Sequence, residues 1–239
     1  MSTNRTSRRI ARDVFLRKLG LERSYRPPVL FRHPDWNFDS LLKPVVGDYL
    51  RARPDFTFFQ VGAFDGFVKD PVYPLVRAFG LRGLVVEPQV SVLDTLKANY
   101  ADHPQVQVVN AAVADANGMR DFYTDARGPS RQASFIKSNL LKHGVPADQI
   151  VTVKVRSATI ATLLHEHGFD RCDLLQIDAE GYDHQIVRAI DFKTVQPLII
   201  RFEHVHMSND DCNQCIALLA SHGYRFITER RDIMALREP

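Results

Sequence analysis

The chain has 239 residues, 45% of them hydrophobic and 25% charged, with a formal net charge of +3. That composition suits a soluble globular protein, long enough for one α/β domain of about 200 residues plus a short extension. No apolar run reaches the ~18 residues that span a bilayer, the basic start M-S-T-N-R-T-S-R-R-I lacks the apolar segment of a secretory signal, and three cysteines make no disulfide framework; together these point to the cytoplasm.

Residues 1–32 hold nine Lys/Arg against only Asp13 and Glu22. Ile10, Val14 and Leu19 fall near one helical face, so this arm reads either as a helix for a membrane surface or a partner, or as a solvated lead-in. The body, 33–239, has 22 basic and 26 acidic residues, which argues against nucleic-acid binding. Three prolines make 26–36 an extended linker, and a short helix fits 38–52. The expected division is an arm and helical lead-in over 1–52 and the main domain over 53–239.

From residue 56 strands and helices alternate. F-T-F-F-Q-V (56–61) is a strand, and Asp70-Pro71 caps a helix to about Phe79. Strand 82–87 leads to helix 89–100, then strand 105–110. The stretch 119–150 is mixed, with a strand at 119–124 and a helix near 134–143. A strand at 151–155 and a helix at 159–167 come next, then strand 172–177 and helix 183–190. Strand 197–202 and helix 209–222 precede a closing hairpin of 224–229 and 232–237. Such alternation predicts a mostly parallel, doubly wound sheet with helices on both faces and its ligand beyond the carboxyl ends of the strands.

Those ends are polar. The first strand runs into Gly62-Ala63-Phe64-Asp65-Gly66, where a glycine turn lets backbone approach a ligand. Glu87 ends the second strand, 21 residues beyond Gly66, where a carboxylate can take both hydroxyls of a ribose. Asn110-Ala111, Asp178-Ala179-Glu180 and Glu203-His204 end the others. The turn lacks the P-loop lysine and the three-glycine dinucleotide fingerprint, and so many carboxylates would repel a pyrophosphate. They suit a nucleoside with a cationic tail, of which S-adenosylmethionine is an example.

Q-V-G-A-F-D-G, V-V-E-P (85–88), N-A-A-V-A-D (110–115), L-L-Q-I-D-A-E-G-Y-D (174–183) and I-I-R-F-E-H (199–204) together resemble the FkbM-type S-adenosylmethionine-dependent methyltransferases. The resemblance covers about residues 56–237. It implies a class I methyltransferase (Rossmann-like) sheet of seven strands with a final antiparallel strand. It also implies O-methylation of a hydroxyl on a sugar, glycan or secondary metabolite. By the same resemblance Gly62, Ala63, Asp65 and Gly66 border the methionine part of the cofactor, and Glu87 holds the ribose. Asn110 and Ala111 lie by the adenine. Asp178, Glu180, Glu203 and His204 face the methyl group and the acceptor, with Asp178 also touching the cofactor. Ser134-Phe135 resembles a segment that lies over the site. Phe64 departs from the family's usual asparagine, and Ala161 from a usual aspartate.

An alcohol acceptor needs a base, for which Asp178 and His204 are the candidates. Glu180 reads equally as a catalytic group or as a carboxylate favoured by a helix N-terminus. Gln60, Gln176 and Arg201, each near the end of a central strand, are expected to form one hydrogen-bonded layer beneath the site, extending to Glu203. The spacing of His204, His206, Cys212 and Cys215 is superficially that of a zinc site, but the cysteines share a helical face with Ile216 and Leu219, so no metal is expected there. A divalent ion on Asp178, Glu180 and Glu203 is left open. The rival readings are a nucleotide-dependent oxidoreductase and an S-adenosylmethionine-binding module without turnover.

Overall fold

The computed structural model describes residues 40–238. The expected amphipathic arm, the proline-rich linker and the first residues of the helix drawn from 38 lie outside them. Helix α1 (Leu42–Ala52) belongs to the same compact unit as all that follows it, and its Leu42 and Val46 are buried.

The inner strands of the central sheet are mostly apolar and buried, as sequences covered on both faces tend to be. The strands of the sheet are β1 (Thr57–Val61), β2 (Arg82–Val86), β3 (Val106–Val109), β7 (Leu174–Ile177), β8 (Ile199–Glu203), β9 (Arg225–Thr228) and β10 (Asp232–Leu236). Their order is β3-β2-β1-β7-β8-β10-β9. Neighbours are parallel from β3 to β8, and β10 runs antiparallel to both β8 and β9. The doubly wound sheet with its antiparallel C-terminal strand is therefore present, and the closing hairpin forms as expected.

Alternate side chains of these strands feed two cores. Phe59, Val61, Leu175, Ile177, Ile200 and Phe202 pack on one face against α5 (Ile160–Glu166), α6 (Asp183–Arg188) and α7 (Asn209–Ser221). Phe58, Val85, Leu174, Ile199 and Met234 pack on the other against α1, α2 (Tyr73–Phe79) and α3 (Leu93–Asn99). The helix expected from Asp70-Pro71 begins later, at Tyr73, but Asp70 still serves its start. Its Oδ1 accepts the N–H groups of Val72 and Tyr73 at 2.8 and 2.7 Å. Gly80 closes that helix in the left-handed conformation, donating to Val76 O at 2.8 Å.

The expected strands at 119–124 and 151–155 do not join the main sheet. As β5 (Gly118–Asp125) and β6 (Ile150–Ala158) they pair antiparallel, and the two-residue β4 (Ala112–Val113) adds to β6. Both are exposed over much of their length, which a central strand could not be. Between them lie α4 (Lys137–Lys142) and the segment bearing Ser134, which bridges Tyr123. This second sheet has its own small core of Ala112, Phe122, Ala133 and Val155, with Phe135 against it.

Candidate active site

The strand order reverses between β1 and β7, and a crevice opens there at the carboxyl ends of parallel strands. The crevice is a cavity of about 480 Å³, within the range of pockets that hold small ligands. Val61, Gly62, Val86, Glu87, Ala111 and Asp178 come from the strand ends. Phe122, Ala133 and Phe135 come from the second sheet, and Phe135 packs on Tyr182 with ring centroids 4.8 Å apart. Glu180, Arg201, Glu203, Arg231 and Asp232 line the remaining wall.

Three non-glycine residues among those described adopt a left-handed backbone: Phe64 (φ 47), Lys69 (φ 59) and Glu180 (φ 50). All three line this cavity. Strain of that kind, on the order of 1–2 kcal/mol per residue, collects at functional sites.

Glu87 is the most buried of the wall carboxylates, at 3% exposure. Its Oε2 accepts the Phe64 N–H at 2.9 Å, and its Oε1 accepts the N–H of Gln89 at 2.9 Å and Gln89 Nε2 at 3.2 Å. Burial pushes its pKa up, against the pull of those donors. Gln89 in turn ties β2 to the second sheet, donating to Ser130 O and accepting from Ser130 N, each at 3.0 Å.

Asp178 opens to the water of the cavity yet lies deep in the molecule. Its depth raises the carboxyl well above the usual range, and Asp183, Glu180, Glu203 and Asp232 raise it further; cavity water tempers that shift. Depth likewise raises Glu180. Asp183, fully buried, is pushed up to about 7 by burial and then by Glu203, despite accepting from Ala179 N and Gly181 N. Two wall acids have cationic partners: Glu203 pairs with Arg231 at 2.7 Å, and Asp232 with Arg201 at 2.6 Å. Glu87, Asp178 and Glu180 are in no ion pair among the described residues. A cationic ligand fits such a wall.

A family model, the methyltransferase FkbM domain, matches residues 60–226. The chain belongs to the FkbM methyltransferase family. Its sheet is that of a class I methyltransferase. Among solved structures, it is similar to an FkbM methyltransferase from Methylobacillus flagellatus KT at 16% identity and a TM-score of 0.47, over 76% of this chain. This chain spans only 43% of that protein's length. It is also similar to an O-methyltransferase from Bacillus cereus solved with S-adenosylhomocysteine (12% identity, TM-score 0.48, 95% of this chain and 97% of that one). A precorrin-6y C5,15-methyltransferase from Geobacter metallireducens GS-15 follows at 14% identity and TM-score 0.43, over 82% and 87% of the two chains. No curated protein matches.

In this FkbM-family chain, Gly62, Glu87, Ala111, Asp178, Glu180 and Glu203 meet around one cavity, whereas Ala63, Asp65, Gly66, Asn110 and His204 are not on its wall. Asp65 instead organises the first turn. Burial works against its ionisation, but the N–H groups of Phe67 and Val68, both at 3.0 Å, and Arg131 at 2.6 Å outweigh it and hold its pKa down. Asn110 fastens the β2 turn, donating to Glu87 O and Pro88 O at 2.9 and 3.0 Å. His204 is bound through its backbone to Arg231 O at 3.0 Å, and its Nε2 is buried without a partner among the described residues.

The turn glycines answer to the protein itself. Gly62 has φ 74, and a Cβ there would meet Asp178 O at 1.9 Å. Gly66 has φ 64, and a Cβ would meet Leu96 and Tyr100 at 2.4 and 2.6 Å. Close chain packing is what excludes a side chain at both positions.

Gln60, Gln176 and Arg201 share one row across β1, β7 and β8, but the expected layer is divided. Arg201 donates to Gln176 Oε1 at 3.1 Å and pairs with Glu229 and Asp232, not Glu203. Gln60 turns to Asp70 at 2.6 Å. Cys215 is buried in the core with Cys212 packed against it, and neither joins the histidines in a metal-ligating group. Asp183 occupies the first turn of α6, so the helix-capping alternative for Glu180 goes to its neighbour. Phe122, Arg231 and Asp232 were not visible as site residues from sequence, because non-local pairing brings them to the wall, and Gln89 and Tyr182 reach it beside Glu87 and Glu180.

Proposed function

We propose that this protein is an S-adenosylmethionine-dependent O-methyltransferase of the cytoplasm, acting on a hydroxyl of a sugar, glycan or secondary metabolite. The observation that supports this most is the trio Glu87, Asp178 and Glu180, carboxylates without ionic partners among the described residues on one cavity wall. S-adenosylmethionine supplies a methyl carbon made electrophilic by its sulfonium. Glu87, fixed by the Phe64 and Gln89 N–H groups, keeps free lone pairs to accept the ribose hydroxyls. Ala111, Phe122 and Phe135 offer the apolar surface for the adenine. Asp178 and Glu180 offset the sulfonium charge.

Asp178 is the base. A carboxylate whose proton affinity is raised by depth and neighbouring acids is a better proton acceptor near neutrality than an exposed one. It takes the hydroxyl proton as the O–C bond forms and the C–S pair returns to sulfur. His204, off the wall, takes no part in this scheme. The three unpaired cysteines, Cys172, Cys212 and Cys215, are in keeping with a reducing compartment. The test is calorimetric titration with S-adenosylhomocysteine, followed by methyl release from the donor across a panel of hydroxylated acceptors. Absence of binding refutes the whole reading; binding with no turnover on any acceptor favours the inactive module.

A further inference from the structure

His143, which follows α4, Glu180, which follows β7, and His206, which follows β8, converge beside the acidic wall of the cavity, which Glu180 lines. One ligating atom from each lies within 4.8 Å of the other two. Nothing in the packing of the sheet requires two imidazoles and a carboxylate to meet there.

Several surrounding contacts suit a coordination site. His143 Nδ1 lies 2.9 Å from Asn139 O. A carbonyl only accepts, so Nδ1 carries the proton and Nε2 keeps its lone pair. His206 Nε2 faces the Glu203 carboxylate at 3.2 Å, the kind of partner metal-bound imidazoles commonly keep on the ring. Asn139 Nδ2 donates to Glu180 Oε2 at 3.3 Å, so one residue braces two of the three groups. Glu180 holds φ 50 although Gly181 stands beside it to absorb the turn. No lysine or arginine pairs with Glu180 among the described residues.

We propose that His143, Glu180 and His206 bind a divalent first-row transition ion, such as Zn²⁺ or Mn²⁺, at the acceptor end of the cavity. Two imidazoles favour such an ion over Mg²⁺ or Ca²⁺, which prefer oxygen donors throughout. Coordination at about 2.1 Å draws the donors from their present spacing to about 3.4 Å of one another, a movement within reach of side-chain rotation. Three protein ligands leave a position open, and Glu180, the one of the three that lines the cavity, puts that position within reach of a bound acceptor. There the ion holds the acceptor oxygen and lowers the pKa of its hydroxyl, easing proton transfer to Asp178. This role rests on the proposed methyl transfer; the binding does not.

The test separates the two. Protein stripped with a chelator is titrated with Zn²⁺ and Mn²⁺ calorimetrically and with Co²⁺ by visible absorption, with no methyl donor present. One site per chain is expected, with intense Co²⁺ bands from a site of low coordination. H143A, H206A and E180Q should each weaken binding by at least about 10- to 100-fold. His143 is exposed, so H143A spares the fold, and metal-free melting curves control the other two. Failure to saturate, or wild-type affinity retained in all three variants, overturns the site. S-adenosylhomocysteine is titrated separately into the stripped protein. Metal binding without it leaves the metal site standing and removes the methyl-transfer reading; the converse result removes the metal site alone.

Discussion

The two ends of the cavity use the same residue types in opposite ways. At the β1–β2 end the acids are held by backbone donors. Asp65 accepts two N–H groups, Asp70 two, and Glu87 two, each with a side-chain donor besides. At the β7–β8 end Asp178 accepts no hydrogen bond among the described residues, and acids face other acids. Hydrogen bonds to the charged form favour ionisation, whereas neighbouring like charge and depth oppose it; at the first end the donors prevail at Asp65, while burial still raises Asp70 and Glu87. The first end is thus braced by backbone donors, whereas at the second Glu203 and Asp232 take Arg231 and Arg201 and leave Asp178 and Glu180 in no ion pair among the described residues. Under the proposed function, binding and chemistry occupy different ends of one crevice.

The largest expected effect tests the second end. Asp178→Asn removes the base while keeping the shape, so turnover should fall by about 10²- to 10⁴-fold with affinity for S-adenosylhomocysteine nearly unchanged. Equal losses in both would make Asp178 a binding residue and erase the contrast. Next is Glu87→Gln at the first end. The amide keeps one acceptor but loses the charge, and hydrogen bonds to charged groups contribute roughly 1.5–3 kcal/mol. Affinity for S-adenosylhomocysteine should drop by roughly 10- to 150-fold in calorimetry. A ribose held elsewhere would leave it untouched.

Much of the first end could be read from sequence because its signals are local. T-F-F-Q-V before a glycine is a covered strand, and a carboxylate after the next strand sits where the proposed function puts the ribose. The second end was legible only in part. Asp178, Glu180 and Glu203 mark strand ends, but their partners come from far along the chain: Arg231 from the final hairpin turn and His143 from the α4 loop. The second sheet escaped for a similar reason. β5 and β6 look like any half-exposed strands, and nothing in either says that they pair with each other rather than with the main sheet. Gly66 stands off the cavity wall, and a glycine required by Leu96 and Tyr100 looks the same in sequence as one required by a ligand.

A smaller effect sharpens the comparison through pH. Asp183, beside the second end, titrates at about 7 in the folded state against an ordinary value of 3.8. The folded state therefore holds its proton to higher pH than the unfolded chain. The associated stability is full below about pH 4 and is lost as pH rises to about 7. Asp65, at the first end, is shifted down, so its contribution is present above the unfolded value and lost in acid. Melting temperatures should accordingly show Asp183→Asn gaining on the wild type as pH rises from about 5 to about 8, and Asp65→Asn losing its deficit only under acid conditions. Parallel pH profiles for the two variants would mean that the ends do not differ electrostatically.

The smallest effect concerns the strained residue of the first end. Phe64 holds φ 47, and its ring lies under the Arg131 guanidinium at 4.4 Å. Asparagine tolerates the left-handed region better than phenylalanine does, so Phe64→Asn relieves up to about 1–2 kcal/mol. Loss of the cation–π contact takes back about 0.5–1 kcal/mol. Glycine would relieve the same strain but at an entropic cost of about 0.4–1 kcal/mol from the looser unfolded chain, so it should come out below asparagine. The expected order of melting temperature is therefore Asn at or slightly above Phe, with Gly beneath Asn, all within a few degrees for a chain of this size. The Phe64 N–H is a backbone donor to Glu87 and survives either change, so affinity for S-adenosylhomocysteine should hold. If asparagine instead lowers the melting temperature sharply, the ring is a structural part of the cavity wall, and the rigidity of the first end comes from side-chain packing rather than from its backbone donors.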